Sequence, residues 1–304
     1  MIDTALNLRD PQTGLATITV TYNPELELLQ RQLHRIPNGI MKIIVDNGSV
    51  NQNEIVGLYG DEANVTLLLN TGNLGLAEAL NRGVAHASSI DGIEHILLLD
   101  QDSEPAEGAV EKLFSALRSL ENKIGLCAVG PRMMDVVTGM HHGFHVMTRW
   151  RWNRVYPRPD SAPIACANIN GSGIMTSIAA WAKSGGMDAG LFIDHVDTDW
   201  SFRMLSKGMP LFGIADVDFI HRMGLGSRRI WLFGWHVLPE RSPLRHYYLY
   251  RNTLRLMRRD YVPAVWKFWA TVKMAVTMSI ILLFGPDRLK QISSIAKGLR
   301  DGFL

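Results

Sequence analysis

The chain has 304 residues, of which 47% are hydrophobic and 20% are charged, and its formal net charge at pH 7 is +2. This is an ordinary globular composition, and the length allows one large domain or two smaller ones. The two cysteines, Cys127 and Cys166, lie in apolar stretches without metal-ligand spacing, so we expect buried thiols, and an extracellular disulfide scaffold is excluded.

Charge is distributed unevenly along the chain. Residues 1–221 contain 16 Lys and Arg against 25 Asp and Glu, whereas residues 222–304 contain 15 against 4, so the net charge changes from −9 to +11. The acidic part is suited to holding a metal ion, and the basic part to meeting anions such as lipid headgroups, nucleic acid or pyrophosphate. The first 14 residues lack the basic start and apolar run of a signal peptide, which predicts a protein that stays in the cytosol.

Short apolar strands alternate with amphipathic helices through the first 130 residues. This pattern predicts strands over residues 16–22, 41–45, 65–69, 95–99 and 125–129, and helices over residues 25–35, 76–86 and 105–120. The alternation predicts an α/β fold with a mainly parallel sheet and helices on both faces. Residues 130–180, rich in Gly, Trp and His, predict less regular β structure, followed by a helix over 197–207 and a strand over 212–220.

Three helices are predicted in the basic tail, over residues 243–259, 262–284 and 287–302. The middle helix is very apolar, but Lys267 and Lys273 interrupt it and prevent a run of about 20 uncharged residues. Basic residues flank it on both sides, so the pattern favours a helix that lies at a membrane surface. Packing in a dimer or in the protein core is the alternative, and a true membrane span is disfavoured.

Polar residues follow each of the first four predicted strands, and ligands bind at the carboxyl ends of strands in an open parallel sheet. The fourth strand delivers Asp100 and Asp102, one residue apart. Such a pair can hold a divalent cation that bridges a diphosphate and neutralises the charge that develops when the diphosphate leaves. The alternative for this pair is a helix cap with a turn, in which Ser103 precedes Pro105.

Several segments resemble glycosyltransferase family 2, and the Asp-Gln-Asp-Ser form at residues 100–103 is similar to its bacterial rhamnosyltransferase branch. In the first half these segments are Thr21–Pro24, Val45–Ser49, Asn70–Gly83 and Leu99–Ser103, and in the second half they are Asn170–Gly173, Phe192–Arg203 and Arg245–Asn252. The resemblance covers roughly residues 15–260 and implies a GT-A fold. It implies a catalytic domain over residues 1–240, with a nucleotide-sugar half at about 15–130 and an acceptor half at about 131–240, and a helical tail over 241–304.

The resemblance also implies roles for individual residues on the donor side. The first strand end and the turn after the second strand would hold the nucleoside, and the segment from Gly72 to Asn81 would close over ribose and diphosphate. Asp100 and Asp102 would form an Asp-x-Asp metal motif, and His221, which is otherwise structural, would be a further metal ligand or diphosphate contact. The implied nucleotide-sugar-binding residues are Tyr22, Asn23, Asp46, Asn73, Gly75, Asn81, Gln101 and Arg251.

The family's catalytic base falls on Asp197, because this residue and Arg203 align with the second Asp and the Arg of a Glu-Asp-x-Asp-Leu-x-x-Arg segment. Val196 stands where the family has Glu, which keeps Asp194 as the second choice. A base must lie near the acceptor hydroxyl to take its proton, and a helix N-terminus helps to keep the carboxylate ionised. Helix capping is the alternative for this segment. The residues implied on the acceptor side are Gly171, Ser172, Asp199 and Trp200.

Two other groups have more than one interpretation. Arg245 and Arg251 could contact pyrophosphate or lie on a solvated basic helix face. Their aromatic-basic setting raises nucleic acid as a partner, but the neighbouring apolar helix suits a membrane surface better. His141, His142 and His145 could suggest zinc, but no carboxylate or Cys partner is suitably spaced, so a structural or acceptor-side role is favoured.

The function implied by the resemblance is inverting transfer of L-rhamnose from dTDP-β-L-rhamnose, with Mg²⁺ or Mn²⁺, to give an α-L-rhamnoside. The acceptor would be a bacterial surface glycan carried on a polyprenyl diphosphate, at the inner face of the plasma membrane, and a homodimer is an additional expectation. One alternative is the same fold with UDP-galactose or UDP-glucose as donor. Another is a non-catalytic membrane-associated binding protein. An NAD-dependent Rossmann enzyme is disfavoured, because no Gly-x-Gly-x-x-Gly follows the first strand.

Overall fold

The structure is a computed structural model, and it describes residues 14–136, 139–221, 227–231, 235–239, 241–285 and 287–304. The side chains of residues 222–240 and of residue 284 are outside this description. The prediction that the N-terminus lacks a signal peptide therefore falls almost entirely outside the described residues and stays a prediction.

Four parallel strands form one half of the central sheet, in the spatial order β4-β1-β2-β3. The apolar runs of β1, β2 and β4 are buried on both faces, as expected where helices cover both sides of a parallel sheet, whereas the edge strand β3 is partly exposed. The bounds are β1 (Leu15–Thr21), β2 (Met41–Asp46), β3 (Val65–Leu69) and β4 (His95–Asp100). All four were predicted within one residue at each end.

The other half of the sheet is mixed and continues from β4 in the order β11-β6-β12-β10. β11 is antiparallel to both of its neighbours, whereas β6 and β12 are parallel to each other. β5 pairs with β12, and β7 pairs with β6. The bounds are β5 (Ser103–Pro105), β6 (Ala128–Asp135), β7 (His141–His142), β10 (Ile164–Cys166), β11 (Met175–Ser177) and β12 (Leu211–His221).

Two hairpins lie outside this sheet, and both are antiparallel. They are β8 (Phe144–Met147) with β9 (Trp152–Val155), and β13 (Ser227–Trp231) with β14 (Trp235–Pro239).

Helices cover both faces of the sheet, and each face has its own apolar core. One core contains Ile18, Val45 and Leu98 under α3 and α6, and the other contains Leu15, Ile44 and Leu97 under α1 and α4. Cys127 and Cys166 are free, buried thiols, as predicted. The helices of this part are α1 (Leu26–Arg35), α2 (Gln52–Tyr59), α3 (Leu76–Ser88), α4 (Ala109–Ile124), α5 (Ile178–Ser184) and α6 (Val196–Ser206).

The tail consists of three helices, α7 (Pro243–Met257), α8 (Ala264–Phe284) and α9 (Arg288–Phe303), close to the predicted bounds. α7 and α9 approach closely, since a Cβ on Gly298 would collide with the carbonyl oxygen of Tyr247. The tail is not a separate body, because Leu256 and Trp266 belong to the same core as Ile18. The predicted boundary at residue 240, between a catalytic domain and a helical tail, therefore stays a prediction about their different functions.

Two predictions of local structure were wrong. Residues 105–108 were expected to begin a helix, but Pro105 ends β5, which pairs with Phe219 of β12, and α4 begins only after Gly108. The fifth predicted strand begins at Ala128 instead of Gly125, because Gly125 ends α4 with a positive φ. Pairing with the distant strand β12 places Pro105 in β5, and the glycine that ends α4 delays the start of β6.

Candidate active site

The turn after β2 is built around a buried carboxylate. Asp46 accepts hydrogen bonds from the Thr21 hydroxyl (3.0 Å), the Ser49 backbone N–H (3.0 Å) and the Gln52 amide (2.7 Å), and a further one from the Ser49 hydroxyl. Because its side chain is fully buried and enclosed by protein donors, Asp46 fixes the turn. Its predicted contact with a nucleoside stays a prediction.

The exits of β1 and β4 are joined to this turn. The Gln101 amide oxygen accepts from the Tyr22 backbone N–H at 2.7 Å, and the Asn23 backbone N–H donates to the Ser49 hydroxyl at 2.8 Å. The Asn23 side chain accepts from the Val50 N–H at 2.9 Å, which supports its left-handed backbone (φ 49°). The Tyr22 ring remains 48% exposed and open to a ligand. These predicted donor-side residues are therefore brought together.

Asn73 and Gly75 lie at the same edge. The Asn73 side chain accepts from the Asn47 amide (3.0 Å) and from the Gly75 N–H (2.9 Å). Gly75 has φ 88°, and a Cβ there would lie 2.5 Å from the Phe192 ring, so only glycine fits. Asn81 is placed differently, because its amide exchanges two 2.8 Å hydrogen bonds with the Met187 backbone. Asn81 ties α3 to the loop that contains Met187, and its predicted contact with the donor stays a prediction.

Three side chains meet where β4 ends. The ligand atoms of Asp100, Asp102 and His221 all lie within 4.8 Å of one another, and this is the one such group of metal-ligand side chains among the described residues. Pairing of β5 with β12 sets His221 opposite Ser103, whose hydroxyl lies 2.8 Å from His221 Nδ1. Two carboxylates and an imidazole suit Mn²⁺, and the carboxylates also suit Mg²⁺. The predicted triad is therefore brought together with donors that fit a divalent cation.

The charges around this group favour a cation. Burial raises the pKa of Asp100 to about 6; His221 and Arg245 lower it, whereas the neighbouring carboxylates Asp102 and Asp197 raise it. Like charges close together disfavour ionisation, and a divalent cation between them removes the repulsion. His141, His142 and His145 form no metal-ligand group among the described residues, and His145 instead accepts a hydrogen bond from Arg154.

Asp197, the predicted base, begins α6 beside this group. It accepts hydrogen bonds from the Gly171 N–H (3.0 Å) and from the Thr198 N–H (2.8 Å). Burial raises its pKa, whereas the backbone hydrogen bonds lower it. Ser172 follows Gly171 in the chain, and its hydroxyl accepts a hydrogen bond from the Asp100 N–H at 3.0 Å. Gly171 and Ser172 thus connect the candidate base to the candidate metal site.

Asp194, the second choice for the base, is engaged elsewhere. Both of its oxygens accept from the Arg245 guanidinium, at 2.8 and 2.7 Å, and its side chain is only 9% exposed. Asp194 and the adjacent His195 both have positive φ, a strained conformation that is common at functional sites. With Asp194 paired to a cation, Asp197 is the carboxylate better placed to take a proton.

Asp199 and Trp200, which were predicted on the acceptor side, both lie in the protein interior, and their acceptor-side role stays a prediction. Asp199 is fully buried and accepts from Arg203 (2.9 Å), from the Tyr261 hydroxyl (2.6 Å) and from Arg259. Trp200 is fully buried and donates to the Ser184 hydroxyl at 2.9 Å. Each helical residue turns by about 100°, so Asp199, two residues after Asp197, lies on the opposite side of α6 and faces the core.

Arg251 contacts a loop and an aromatic ring of the protein, and its predicted contact with the donor stays a prediction. Its guanidinium donates to the backbone oxygens of Gly190 and Leu191, at 2.8 and 2.9 Å, and lies 4.7 Å from the centre of the Tyr248 ring. The neighbouring Asn252, fully buried, donates to three carbonyl groups of the same loop. Both side chains hold the loop that carries Asp194.

Sequence reasoning missed Gln32, which fixes the backbone of the candidate metal site. This side chain of α1 is fully buried and donates to the carbonyl oxygens of Asp100 (2.5 Å) and Ser103 (2.6 Å), while accepting from Thr19 (2.9 Å). Its position next to Leu29 and Leu33 on the apolar face of α1 was the available signal, because a buried amide requires partners.

A family model described as "Glycosyl transferase family 2" matches residues 17–176. A protein of Shigella flexneri, "dTDP-rhamnosyl transferase RfbF", is 25% identical over 291 residues, covering 95% of each chain.

Solved structures share the fold. GalNAc-T7 with UDP, GalNAc and Mn²⁺ gives a TM-score of 0.60 at 17% identity, covering 96% of this chain and 55% of that one, so this chain spans about half of its length. S. aureus TarS 1–349 with UDP-GlcNAc gives 0.55 at 12% identity, covering 94% and 81%. The mannosyltransferase PcManGT from Pyrobaculum calidifontis, with GDP-Man and Mn²⁺, gives 0.53 at 16% identity, covering 97% and 82%. The predicted GT-A α/β fold is confirmed.

Proposed function

This chain belongs to glycosyltransferase family 2, and we propose that within this family it transfers L-rhamnose, with inversion, from dTDP-β-L-rhamnose to a hydroxyl group of a bacterial surface glycan. That it is a glycosyltransferase follows from the family. The rhamnose donor is supported by the relative named as a dTDP-rhamnosyl transferase. The observation that carries the proposal is the link from Asp100 through Ser172 and Gly171 to Asp197, which joins a diphosphate-binding edge to a base.

In this proposal Asp197 takes the proton of the acceptor hydroxyl as its oxygen forms a bond to the anomeric carbon. The bond between that carbon and the dTDP oxygen breaks, and dTDP leaves from the opposite face. Asp100, Asp102 and His221 would hold Mg²⁺ or Mn²⁺, which would neutralise the charge of the leaving diphosphate. The Gly171 N–H keeps the Asp197 carboxylate oriented, and Tyr22 offers its exposed ring to the nucleoside.

Substitution of the base separates catalysis from donor binding. Asp197→Asn should lower the transfer rate by about 100-fold or more, as expected for loss of a general base, and leave Mn²⁺-dependent dTDP binding unchanged. Asp102→Asn should lose Mn²⁺-dependent dTDP binding itself. Asp216→Asn, at an exposed position of β12, is the control and should behave as wild type. Full transfer by Asp197→Asn would disprove the assignment of the base.

The donor is tested by calorimetric titration of dTDP, UDP and GDP in the presence of Mn²⁺, followed by transfer assays with dTDP-rhamnose, UDP-glucose and UDP-galactose. Preference for dTDP and turnover of dTDP-rhamnose would support the proposal. Preference for UDP would agree with a glycosyltransferase but contradict rhamnose as the donor sugar. UDP is included because two of the similar solved structures contain UDP or UDP-GlcNAc.

We also propose that the tail docks on the cytoplasmic face of the plasma membrane, where a polyprenyl-diphosphate-linked acceptor would be found. α8 contains a 20-residue segment, Ala264–Leu283, with a mean hydropathy of 1.3, which is long and apolar enough to span a membrane, and little of it is buried. One side of the helix is fixed to the catalytic domain, because Trp266 packs edge-on against Phe202 and His195. A helix held along its side favours docking in the membrane plane over spanning.

The opposite side of α8 is apolar and exposed, and helical geometry sets Lys267 and Lys273 at its two edges. Its large exposed side chains are Phe268, Trp269, Val276, Leu282 and Leu283. This arrangement matches a helix whose apolar face enters the acyl boundary while the cations remain at the headgroups.

Flotation with vesicles of phosphatidylglycerol and phosphatidylethanolamine tests the membrane contact. Burying one large apolar side chain contributes about 1.5–3 kcal/mol, so Phe268→Glu with Leu283→Glu should reduce vesicle binding by at least about tenfold. Leu58→Glu, which changes a similarly exposed residue of α2, is the control. Unchanged flotation together with loss of a dimer in sedimentation would assign this face to a second copy of the chain.

A further inference from the structure

Three cationic side chains interact with one carboxylate, Asp194, beside the candidate active site, and a fourth interacts with one of the three. Arg245 binds Asp194 through two hydrogen bonds, and the charges of Arg241 and Lys273 also interact with Asp194. Arg154 interacts with Lys273 from the β8–β9 hairpin. We call Arg154, Arg241, Arg245 and Lys273 the cationic cluster. Its members come from the hairpin, from α7 and the residues before it, and from α8.

Packing of the hairpin against α8 explains why Arg154 and Lys273 face each other. Trp152 and Arg154 are two residues apart on β9, so they lie on the same face of the hairpin. Trp152 packs against Phe202, at 6.0 Å between ring centres, and Phe202 packs against Trp266 of α8 at 5.6 Å. Lys273 follows Trp266 by two helical turns and therefore lies on the same side of α8. A hydrogen bond of 2.7 Å from the Tyr250 hydroxyl to the Met274 carbonyl fixes α8 at this level.

The positive charge of the cationic cluster exceeds what its protein neighbours neutralise. Among the described residues, Asp194 is the acid whose charge reaches Arg241 and Lys273, and both of its oxygens are already bound to Arg245. The pKa of Lys273 is lowered, mainly because part of the side chain is surrounded by protein and also because of the positive charges of Arg241 and Arg154. The side chain as a whole remains exposed to solvent. An exposed cation beside other cations is the setting in which a bound anion is stabilised.

Two histidines next to the cationic cluster, His195 and His145, contribute no charge to it. The pKa of His195 is lowered to about 4, mainly by burial; Asp194 raises it, whereas Lys273 and Arg241 lower it. Burial, then Arg154, lowers the pKa of His145 to about 4, and His145 accepts a hydrogen bond from Arg154 at 3.2 Å. Both imidazoles are neutral at pH 7, so neither carries a charge that would compete with an anion for the cationic cluster.

The cationic cluster lies between the candidate active site and the exposed apolar face of α8. On the catalytic side, the charge of Arg245 interacts with Asp100, and the charge of Asp194 interacts with Asp197. On the other side, Lys273 follows Trp269 by four residues, so it borders the face on which Trp269 is 43% exposed. A molecule that reaches from Lys273 to Asp197 would have an apolar end, an anionic middle and a hydroxyl end.

We propose that the cationic cluster binds the diphosphate of a lipid-linked acceptor whose hydrocarbon chain lies on the exposed face of α8 and whose saccharide reaches Asp197. Guanidinium and ammonium groups donate to phosphate oxygens, and the chain meets apolar side chains. The substrate class is therefore a saccharide on a lipid diphosphate, and this inference rests on the proposed glycosyl transfer.

Calorimetric titration of the full chain with farnesyl diphosphate in a non-ionic detergent, without donor, tests this site. Farnesol measures the contribution of the chain alone, and inorganic diphosphate that of the anion alone. Lys273→Gln removes a charge-assisted hydrogen bond to the diphosphate, so it should weaken farnesyl diphosphate binding by about tenfold or more. Farnesol binding and Mn²⁺-dependent dTDP binding should stay at the wild-type level, with unchanged thermal unfolding.

Lys290→Gln is the matched control, because it removes the same charge from an exposed position of α9 and should leave farnesyl diphosphate binding unchanged. Equal effects of the two substitutions, or an effect only on phosphatidylglycerol vesicles, would overturn the proposal in favour of a lipid-headgroup contact. A tenfold loss of dTDP binding in Lys273→Gln would also overturn it, because the cluster would then serve the donor. If wild type binds farnesyl diphosphate through Lys273 but binds no nucleotide, the proposed donor fails while the cluster stands.

Discussion

Ionisation of Asp100 should make the metal-free protein less stable, and its replacement by asparagine tests this directly. The pKa of Asp100 is raised to about 6, mainly by burial and against an ordinary value of 3.8. A folded-state pKa above the unfolded value means that folding favours the protonated form, so stability falls as the pH rises toward and through 6. A difference of about two pKa units corresponds to about 3 kcal/mol at pH 8.

Asp100→Asn cannot ionise, so in the presence of a chelator it should unfold with a free energy about 3 kcal/mol higher than wild type at pH 8. The advantage should fall to roughly half of this value at pH 5 and to about 0.5 kcal/mol at pH 4, where the unfolded wild type also begins to bind the proton. Urea unfolding followed by circular dichroism measures these differences. The same substitution should abolish Mn²⁺ binding, so stability would rise as the metal site is lost.

Asp102→Asn is the control, because it removes an equal charge from a side chain that is 32% exposed. It should stabilise the protein less than Asp100→Asn while also impairing Mn²⁺ binding. An advantage of Asp100→Asn that is absent at pH 8, or the same at pH 5 and pH 8, would refute the argument that burial and neighbouring carboxylates oppose ionisation here.

Two further substitutions test the packing that supports the site, both by urea unfolding. Arg259→Ala should lower the free energy of unfolding by about 3 kcal/mol, because it leaves the buried Asp199 carboxylate with one cation fewer. Arg259→Lys keeps a cation and should lower the free energy of unfolding by less. A decrease below about 0.5 kcal/mol for Arg259→Ala would contradict this reasoning. Gly83→Ala should cost about 1–3 kcal/mol, because its Cβ would collide with Ile18 and lie 3.0 Å from Val45, and unchanged stability would mean that α3 moves away from the sheet freely.

The parallel half of the fold could be predicted from sequence because each signal there is local. Strands such as Met41–Asp46 are apolar runs with polar exits, and a strand end is the place at which neighbouring strands bring their ligands together. The same reasoning placed Asp100 and Asp102 at one edge. Helix α2 was missed because it buries only Ile55 and Tyr59, which gives little periodic signal.

The rest of the site depends on contacts between residues far apart in the sequence. Adjacency in sequence suggested that Asp199 lies beside Asp197, but rotation about the α6 axis sends it into an ion-pair cluster with Arg259. The cationic cluster combines Arg154 with Lys273, which are more than a hundred residues apart, through the packing of a hairpin on α8. No local pattern indicates such a pairing, because helical and strand periodicities report only which face of an element is buried.

The structure separates the group that takes the proton from the groups that would hold the acceptor lipid. Two consecutive residues, Gly171 and Ser172, connect Asp197 to the strand end at Asp100, and this connection leaves little freedom between base and leaving group. The cationic cluster lies on other elements, the hairpin and the tail, and touches the base only through Asp194. Changes at Lys273 should therefore act on the Michaelis constant for the acceptor, whereas changes at Ser172 should act on kcat, since only the latter disturb the alignment of the reacting atoms.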